Sequence, residues 1–485
     1  MKIRELINSL GKANVPCDFR DFEVKGISCN SKSVADNFIF VAIKGNRADG
    51  NSFIEEAIKK GAKAVITQSA IRHVTRSSGK AFFIKVKDTR KALAKLAAEF
   101  YGNPSKKINV VGVTGTNGKT TITYLIEALL KEAGKNPAVI GTINYRFKDK
   151  ILFSQNTTPG PVELQSMLWE MLGQGVDYAI IEVSSHALDQ DRTAGINFHS
   201  AIFTNLTQDH LDYHKTINSY FAAKAKLFKG LTNDSFAVIN NDDAFANKLK
   251  RITNSSVISY GIENKSDVMA EKLKFDINRT EFKLLSPDKK INLRTNLIGK
   301  HNVYNILAAV SWAIREGISH SVIKSAIEKF SLVPGRLEKI DCGQDFSIFV
   351  DYAHTEDALK NIISALRYLA KKRIIVVFGC GGERDKTKRL KMGRVVAKLS
   401  DYAIITSDNP RSEDPIKIIE QIKKGMGKNN YCVIPERREA IKTSLSLAES
   451  GDIVLVAGKG HENYQILKDK VVHFDDREAI RECLK

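Results

Sequence analysis

Short apolar runs alternate with stretches of helical spacing through most of this chain. Residues 37–43, 64–67 and 81–86 read as strands and 52–60 and 91–101 as helices, which makes residues 1–104 a small α/β domain. Val110, Val111 and Val113 then mark a short buried strand, and 121–133 carry the apolar spacing of a helix. Further strands are predicted at 178–183 and 200–204, a helix at 220–228, and an Ala-rich helix after 296–305. From 335 onward strand and helix alternate, with strands at 346–351, 373–378, 402–406 and 452–456. That alternation predicts a mostly parallel sheet with crossover helices. Turn-forming clusters at Gly102-Asn-Pro-Ser105 and Val333-Pro-Gly-Arg336 divide the chain into 1–104, 105–334 and 335–485. The predicted class is α/β, without internal repeats.

The chain has 485 residues, 43% hydrophobic and 27% charged, the balance of a globular protein too long for one core. Its net charge is +20. That suits nucleic acid, a polyanionic substrate or a solvated lysine-rich surface, and the basic residues are spread rather than gathered in a block. Six cysteines are scattered without a CxxC pair, so neither a zinc site nor a disulfide framework is indicated. No run of signal-peptide or membrane-spanning character is present, and a cytoplasmic location is expected.

Candidate chemistry gathers at the strand ends. Gly115-Thr-Asn-Gly118, followed by Lys119, Thr120 and Thr121, joins a valine strand to a helix. Such a loop cradles phosphate: backbone N–H groups and the positive helix end face the anion, lysine reaches the outer phosphates, and the threonine hydroxyl suits Mg²⁺. Val113 stands where the strict GxxxxGK[ST] pattern has its first glycine. Glu182 is the odd acid of a buried run, placed near the carboxyl edge where an acid commonly holds Mg²⁺ beside a phosphate loop; the plainer reading is an ion-paired structural acid. Asn205-Leu-Thr-Gln-Asp-His-Leu-Asp-Tyr-His214 crowds Asp and His into one loop, although a single such histidine is more often a cap or a surface residue. Lys224 on its predicted helix would ordinarily be solvated. Ser28-Cys-Asn-Ser-Lys-Ser33 is a polar loop able to hydrogen-bond an anionic ligand. The four C-terminal strands lead into Asp351-Tyr-Ala-His354, Gly379-Cys-Gly-Gly-Glu-Arg-Asp385, Asp408-Asn-Pro-Arg411 and Gly458-Lys-Gly-His-Glu462. In a parallel sheet these loops converge on one crevice.

Taken in order, these motifs, with Asn156-Thr-Thr-Pro159, Ala222-Ala-Lys224, His301-Asn302 and Gly335-Arg336, resemble the Mur ligases over nearly the whole chain. These are ATP-dependent amino-acid ligases of peptidoglycan precursor synthesis. The resemblance implies three domains: a UDP-binding N-terminal domain, a P-loop ATPase domain and a Rossmann-like C-terminal domain. It implies that ATP phosphorylates a carboxylate and that an amine displaces the phosphate. Carried over to this chain, Lys119, Glu182, His210 and Lys224 are catalytic. Gly115, Thr116, Asn117, Gly118, Lys119, Thr120 and Thr121, with Asn302, Arg336 and Asp351, bind ATP. Thr120, Glu182, His210 and Lys224, the last as a carbamate, hold Mg²⁺.

Within the family the motifs resemble the branch acting on UDP-N-acetylmuramoyl-L-alanyl-D-glutamate and meso-diaminopimelate. Ser31, Thr157, Thr158, Ser184, Gln190 and Arg192 would meet the nucleotide substrate. Arg384, Asp408, Asn409, Pro410, Arg411, Gly458 and Glu462 would meet diaminopimelate. Arg411 offers a planar charged fork to the far carboxylate that lysine lacks; without its companions, Asp408–Arg411 reads as a turn before a helix. Asn30-Ser-Lys32 departs from the family's usual Asp-Ser-Arg and loses a bidentate fork. A monomer is expected, with no nucleic-acid partner and no membrane insertion. A nucleic-acid ATPase would account for the charge and the phosphate loop but leaves Arg411, the His-rich loop and Lys224 without roles. A folylpolyglutamate- or cyanophycin-type ligase would need another acceptor pocket.

Overall fold

The computed structural model describes residues 1–11, 20–45, 48–69, 81–427 and 429–485. The chain forms two compact units. The first comprises Met1–Thr114, Lys135–Ala201 and Ala223–Phe236, and the second Gly115–Gly134, Ile202–Ala222 and Ala237–Lys485.

In the first unit, strands Gly26–Ser28, Phe38–Val41, Ala62–Thr67 and Phe82–Lys85 lie side by side in that order, all parallel. Because side chains alternate along a strand, Ile39, Val41, Ala64 and Ile66 share one apolar cluster with Leu93 and Leu96 of the helix Thr89–Phe100. Phe40, Ala42 and Val65 point the other way, onto Ala57 of the helix Ile54–Lys59. Asp88 caps the first of these helices, accepting the N–H groups of Arg90 and Lys91. The predicted turn follows, with Asn103 left-handed at φ 52° before the 3₁₀ turn Pro104–Lys106.

The same unit holds the strand Asn109–Thr114, parallel to Tyr178–Glu182, which is parallel in turn to Pro137–Ile140. Asn144–Phe147 and Lys150–Phe153 continue antiparallel. The register pairs Val113 with Glu182, so the acid sits at the carboxyl end of the strand that leads to the glycine loop. Strands Ser200–Phe203 and Phe236–Asn240 span the points where the chain passes between the units.

In the second unit, the helix Lys119–Glu132 packs with Lys300–Arg315 and His320–Lys329. Ser256–Gly261 runs parallel to Val268–Phe275, which opens an antiparallel meander through Thr280–Leu285 and Lys290–Thr295. The C-terminal sheet has the order Glu338–Ile340, Ser347–Asp351, Ile453–Ala457, Ile374–Phe378, Tyr402–Ile405, Tyr431–Val433. All neighbours are parallel except the first pair. Phe349, Leu455, Val376 and Ile405 pack on one face, with Leu359, Met392 and Ile419; Val350, Val456, Val377 and Ile404 pack on the other, with Ile441 and Ile480. Helices on both faces and parallel strands place the loops after Asp351, Phe378, Ile405 and Ala457 at one edge, as predicted.

Cys29, Cys342, Cys380, Cys432 and Cys483 are free thiols, and Cys17 lies outside the described residues. Among the described residues no helix is long and apolar enough to cross a membrane.

Candidate active site

The phosphate loop is shaped by two left-handed glycines, Gly115 at φ 150° and Gly118 at φ 89°. A Cβ on Gly115 would lie 1.8 Å from Thr204 Oγ1 and one on Gly118 2.3 Å from Asn305 Oδ1, so both positions demand glycine on space as well as backbone. Thr204 Oγ1 donates to the Asn117 carbonyl at 2.6 Å, the Asn117 N–H donates to Asn205 Oδ1, and Asn117 Nδ2 donates to Asp357 at 2.9 Å. Thr116 Oγ1 accepts the Thr207 N–H at 3.0 Å. Lys119 Nζ turns back onto the carbonyls of Gly115 and Thr116 at 3.0 and 2.8 Å, which holds its charge over the loop. Thr120 and Thr121 follow Lys119 in the first turn of the helix, both buried.

Beside this loop a cavity of about 590 Å³ is lined by Asn117, Gly118, His301, Tyr304, Asn305 and Tyr368, among others. Asn302 stands next to it but is buried. Its Nδ2 donates to the Ile298 carbonyl and its Oδ1 accepts from Asn305, so it supports the wall. Burial holds the His301 imidazole down to a pKa of about 4, so that ring is neutral near pH 7. Arg336 reaches Thr120 Oγ1 and stacks on Tyr352. Asp351 accepts the N–H groups of Leu337 and Ala353, each at 2.6 Å.

In the first unit, Glu182 is 1% exposed. Its Oε1 accepts the Thr142 N–H at 2.9 Å and its Oε2 the Thr142 hydroxyl at 3.0 Å. The same Thr142 hydroxyl lies 3.1 Å from Thr157 Oγ1. Thr158 donates to the Glu182 carbonyl and accepts the Ser184 N–H. Arg192 donates to the Thr158 carbonyl at 2.9 Å, and Gln190 Oε1 takes its other two N–H arms. Thr157, Thr158, Ser184, Gln190 and Arg192 are therefore gathered around Glu182. Ser31 lies apart from this group: its hydroxyl donates to Glu56 at 2.8 Å, and Asn30 caps the turn by accepting the Lys32 N–H. Lys224, against the expectation of a solvated helix lysine, is 1% exposed.

At the C-terminal edge, Arg411 sits at φ 54°, a left-handed conformation that costs a residue with a Cβ about 1–2 kcal/mol. Its N–H donates to the Ile466 carbonyl at 3.1 Å and its carbonyl accepts the Lys468 N–H at 2.8 Å, so the hairpin Tyr464–Leu467 and Lys470–His473 braces it. The Arg411 guanidinium is held by the carbonyls of Gly382 and Asn409. Pro410 is buried beside it, and Arg384 is exposed on the adjoining loop. Asn409 Nδ2 donates to Glu462 Oε2 at 2.9 Å. Gly458, at φ 115°, keeps space for Asp408: a Cβ there would lie 2.7 Å from Asp408 Oδ2. Burial alone would raise the Asp408 carboxyl, but the Lys459 and Arg437 cations outweigh it and hold the pKa below the usual range.

Several contributors escape motif reading. Thr142 carries Glu182. Arg437 forms a fully buried bidentate pair with Asp476 at 2.7 Å and donates to the Ser407 and Ala457 carbonyls, which fixes the residues just before Asp408 and Gly458. Burial holds His354 down to a pKa of about 4, with its Nδ1 2.7 Å from the Tyr352 carbonyl.

The donor types proposed for Mg²⁺ are a hydroxyl (Thr120), a carboxylate (Glu182), an imidazole (His210) and a modified lysine (Lys224). Among the described residues no group of three or more His, Cys, Asp or Glu side chains forms a cage. Hydroxyl and carboxylate oxygens suit Mg²⁺, which keeps waters and takes the remainder of its shell from substrate phosphates. His210 is the poorer fit; it adopts φ 52°, and its Nε2 lies 3.4 Å from Asp209.

Comparison with known proteins agrees with this layout. The family described as "Mur ligase family, catalytic domain" matches residues 23–101, "Mur ligase middle domain" matches 113–313, and "Mur ligase, glutamate ligase domain" matches 335–460. UDP-N-acetylmuramoyl-L-alanyl-D-glutamate–2,6-diaminopimelate ligase of Syntrophomonas wolfei is 46% identical over 100% of this chain and 99% of that protein. A solved structure of a ligase of the same description is 32% identical with a TM-score of 0.68, covering 95% of this chain and 94% of its own. The MurF ligase of Thermotoga maritima, solved with ADP, is 20% identical with a TM-score of 0.65, covering 95% of this chain and 97% of its own, and shares the fold. Full-length identity at this level, with all three family segments in order on a doubly wound α/β architecture, makes this chain a member of the Mur ligase family.

Proposed function

We propose that this chain is an ATP-dependent, ADP-forming ligase that adds meso-diaminopimelate to the D-Glu side-chain carboxylate of UDP-N-acetylmuramoyl-L-alanyl-D-glutamate, in peptidoglycan precursor synthesis. The observation that carries the choice of amino acid is the strained Arg411, braced on both sides of its backbone and seated on carbonyls next to Asn409 and Glu462. An arginine held so firmly suits a substrate with a far carboxylate. With lysine bound, that guanidinium would keep its carbonyl partners but meet no substrate anion in a closed pocket. A cytoplasmic location fits the ATP and UDP-linked substrates.

The D-Glu carboxylate oxygen attacks the γ-phosphorus and ADP leaves. The amine of diaminopimelate then attacks the acyl-phosphate carbon, loses a proton, and expels phosphate to leave an amide. Lys119 and the loop N–H groups orient the phosphates and Arg336 adds a second cation; Thr157, Thr158, Ser184, Gln190 and Arg192 orient the nucleotide substrate; Arg384, Asp408, Asn409, Arg411, Gly458 and Glu462 orient the amine. Mg²⁺, held by Thr120, Glu182, His210 and Lys224 as its carbamate, would screen the repulsion between carboxylate and triphosphate.

The test is phosphate release from ATP, Mg²⁺ and the nucleotide dipeptide with meso-diaminopimelate or L-lysine added. Release with diaminopimelate alone supports the proposal. Release with lysine instead overturns the Arg411 assignment, and release with neither overturns the reaction.

A further inference from the structure

Lys459 has no place in the binding roles above, yet its side chain is fully buried in the amino-acid pocket, 0% exposed. Its Nζ donates to Glu462 Oε2 at 3.0 Å and to the Tyr464 carbonyl, and lies 3.4 Å from Asn409 Oδ1. Those three acceptors occupy all three ammonium protons, so the group has none left for a substrate. Glu462 Oε2 is thus tied twice, by Lys459 and by Asn409 Nδ2, while Glu462 Oε1 has no hydrogen-bond partner among the described residues. A buried lysine is costly unless paired, and here its pairing is aimed at one pocket acid.

We propose that Lys459 is a positioning residue for the incoming amino acid: it pins one oxygen of Glu462 and keeps that side chain an anion, leaving Oε1 to receive an ammonium group of the substrate. This deepens the ligase reading and rests on it. Glu462 is faced by Asp408, Tyr352, Tyr464 and Arg437 as well as Lys459. Burial raises its pKa and Asp408 adds to the rise, while Lys459 and Asn409 oppose it. Without Lys459 the first cation opposing that rise is gone, which shifts the carboxyl toward the neutral form that suits an ammonium group less well.

The experiment is a double-variant cycle with Lys459→Met and Glu462→Gln, reading KM for diaminopimelate and for ATP across pH. Lys459→Met should raise KM for the amino acid about 30-fold near pH 7.5 while KM for ATP moves less than about twofold. The loss should shrink as pH rises and Glu462 ionises again, which a packing role would not produce. In the Glu462→Gln background the same change should alter KM less than about threefold. An equal loss in both backgrounds, or no loss in either, overturns the proposal. If Lys459→Met does not fold for want of a partner to Glu462, Lys459→Arg, which keeps the cation, takes its place in both backgrounds, and a KM for diaminopimelate that rises equally in the two overturns the proposal. Failure of the ligase reading is distinguishable, because wild type would then release no phosphate with any amino acid. If wild type uses lysine, only Arg411 is reassigned and the cycle is run with lysine.

Discussion

Arg336 Nη2 donates to Thr120 Oγ1 at 3.1 Å, joining the turn that opens the C-terminal segment to the first turn of the phosphate-loop helix 216 positions earlier. The guanidinium stacks on Tyr352 with 4.6 Å to the ring centroid, and its Nε is buried without a partner among the described residues. A cation short of an acceptor and resting on the hydroxyl next to Lys119 is placed to donate to phosphate oxygens. Arg336→Lys keeps the charge and loses the fork, and should lower kcat/KM for ATP by about 10- to 100-fold, or 1.4–2.7 kcal/mol. Steady-state kinetics with ATP varied check this; an unchanged kcat/KM would remove Arg336 from the phosphate site.

Asp351 is 4% exposed, and burial pushes its carboxyl up to a pKa of about 6, with Arg336 and two N–H groups limiting the rise. The folded value lies above the unfolded one, so the stability this group contributes is complete below about pH 4 and is lost as pH rises through about 6. A shift near two units corresponds to about 3 kcal/mol. Asp351→Asn loses an acceptor at every pH, but its stability relative to wild type should improve by about that amount between pH 4 and pH 7.5. Urea unfolding at the two pH values measures the difference. A constant gap would mean that the carboxyl titrates alike in both states.

Arg411→Ala should raise KM for diaminopimelate by about 100-fold or more, through loss of a charge-assisted pair, and should leave KM for ATP nearly unchanged. Arg411→Gly is the informative companion. It relieves the strain at φ 54° while removing the same fork, so its melting temperature should equal or exceed that of Arg411→Ala while its kinetics match. Equal use of diaminopimelate by wild type and both variants would return Asp408–Arg411 to the role of a turn.

Local pattern carried the placement of most candidate residues in the fold. The glycine loop, the acid ending a buried strand and four loops at one parallel edge all follow from period and punctuation, and Gly115, Glu182 and Arg411 stand where such reasoning puts them. What was not legible depends on contacts distant in sequence. Thr142 is an ordinary threonine until it meets Glu182 40 positions away, and Arg437 gains its meaning from Asp476, 39 positions on. The meander through Val268–Phe275, Thr280–Leu285 and Lys290–Thr295 is not predicted, because its half-exposed strands mix lysine and glutamate among few apolar positions. Ser31 is placed with the nucleotide substrate only by resemblance, and its hydroxyl is engaged by Glu56.

Lys224 is the residue whose environment departs furthest from what its helix predicts. On Ile217–Lys229, Lys226 and Lys229 are exposed, as lysines on a surface helix should be, while Lys224 is buried. The family resemblance implies that this buried lysine reacts with CO₂: the amine nitrogen bonds the carbon, a proton is released, and a cation becomes an anion able to serve a metal. Lys224→Ala should then lose activity by about 1,000-fold or more, the scale of removing one preorganised charge from a phosphoryl-transfer site. A short carboxylic acid such as acetate, added at high concentration, should restore part of the rate by placing a carboxylate in the space the side chain leaves. A packing role predicts something different, since an apolar molecule would then rescue as well as acetate, and Lys224→Met, which fills the same volume, would be active. Comparing the two variants with and without acetate separates charge from volume, and an active Lys224→Met would remove the carbamate from the mechanism.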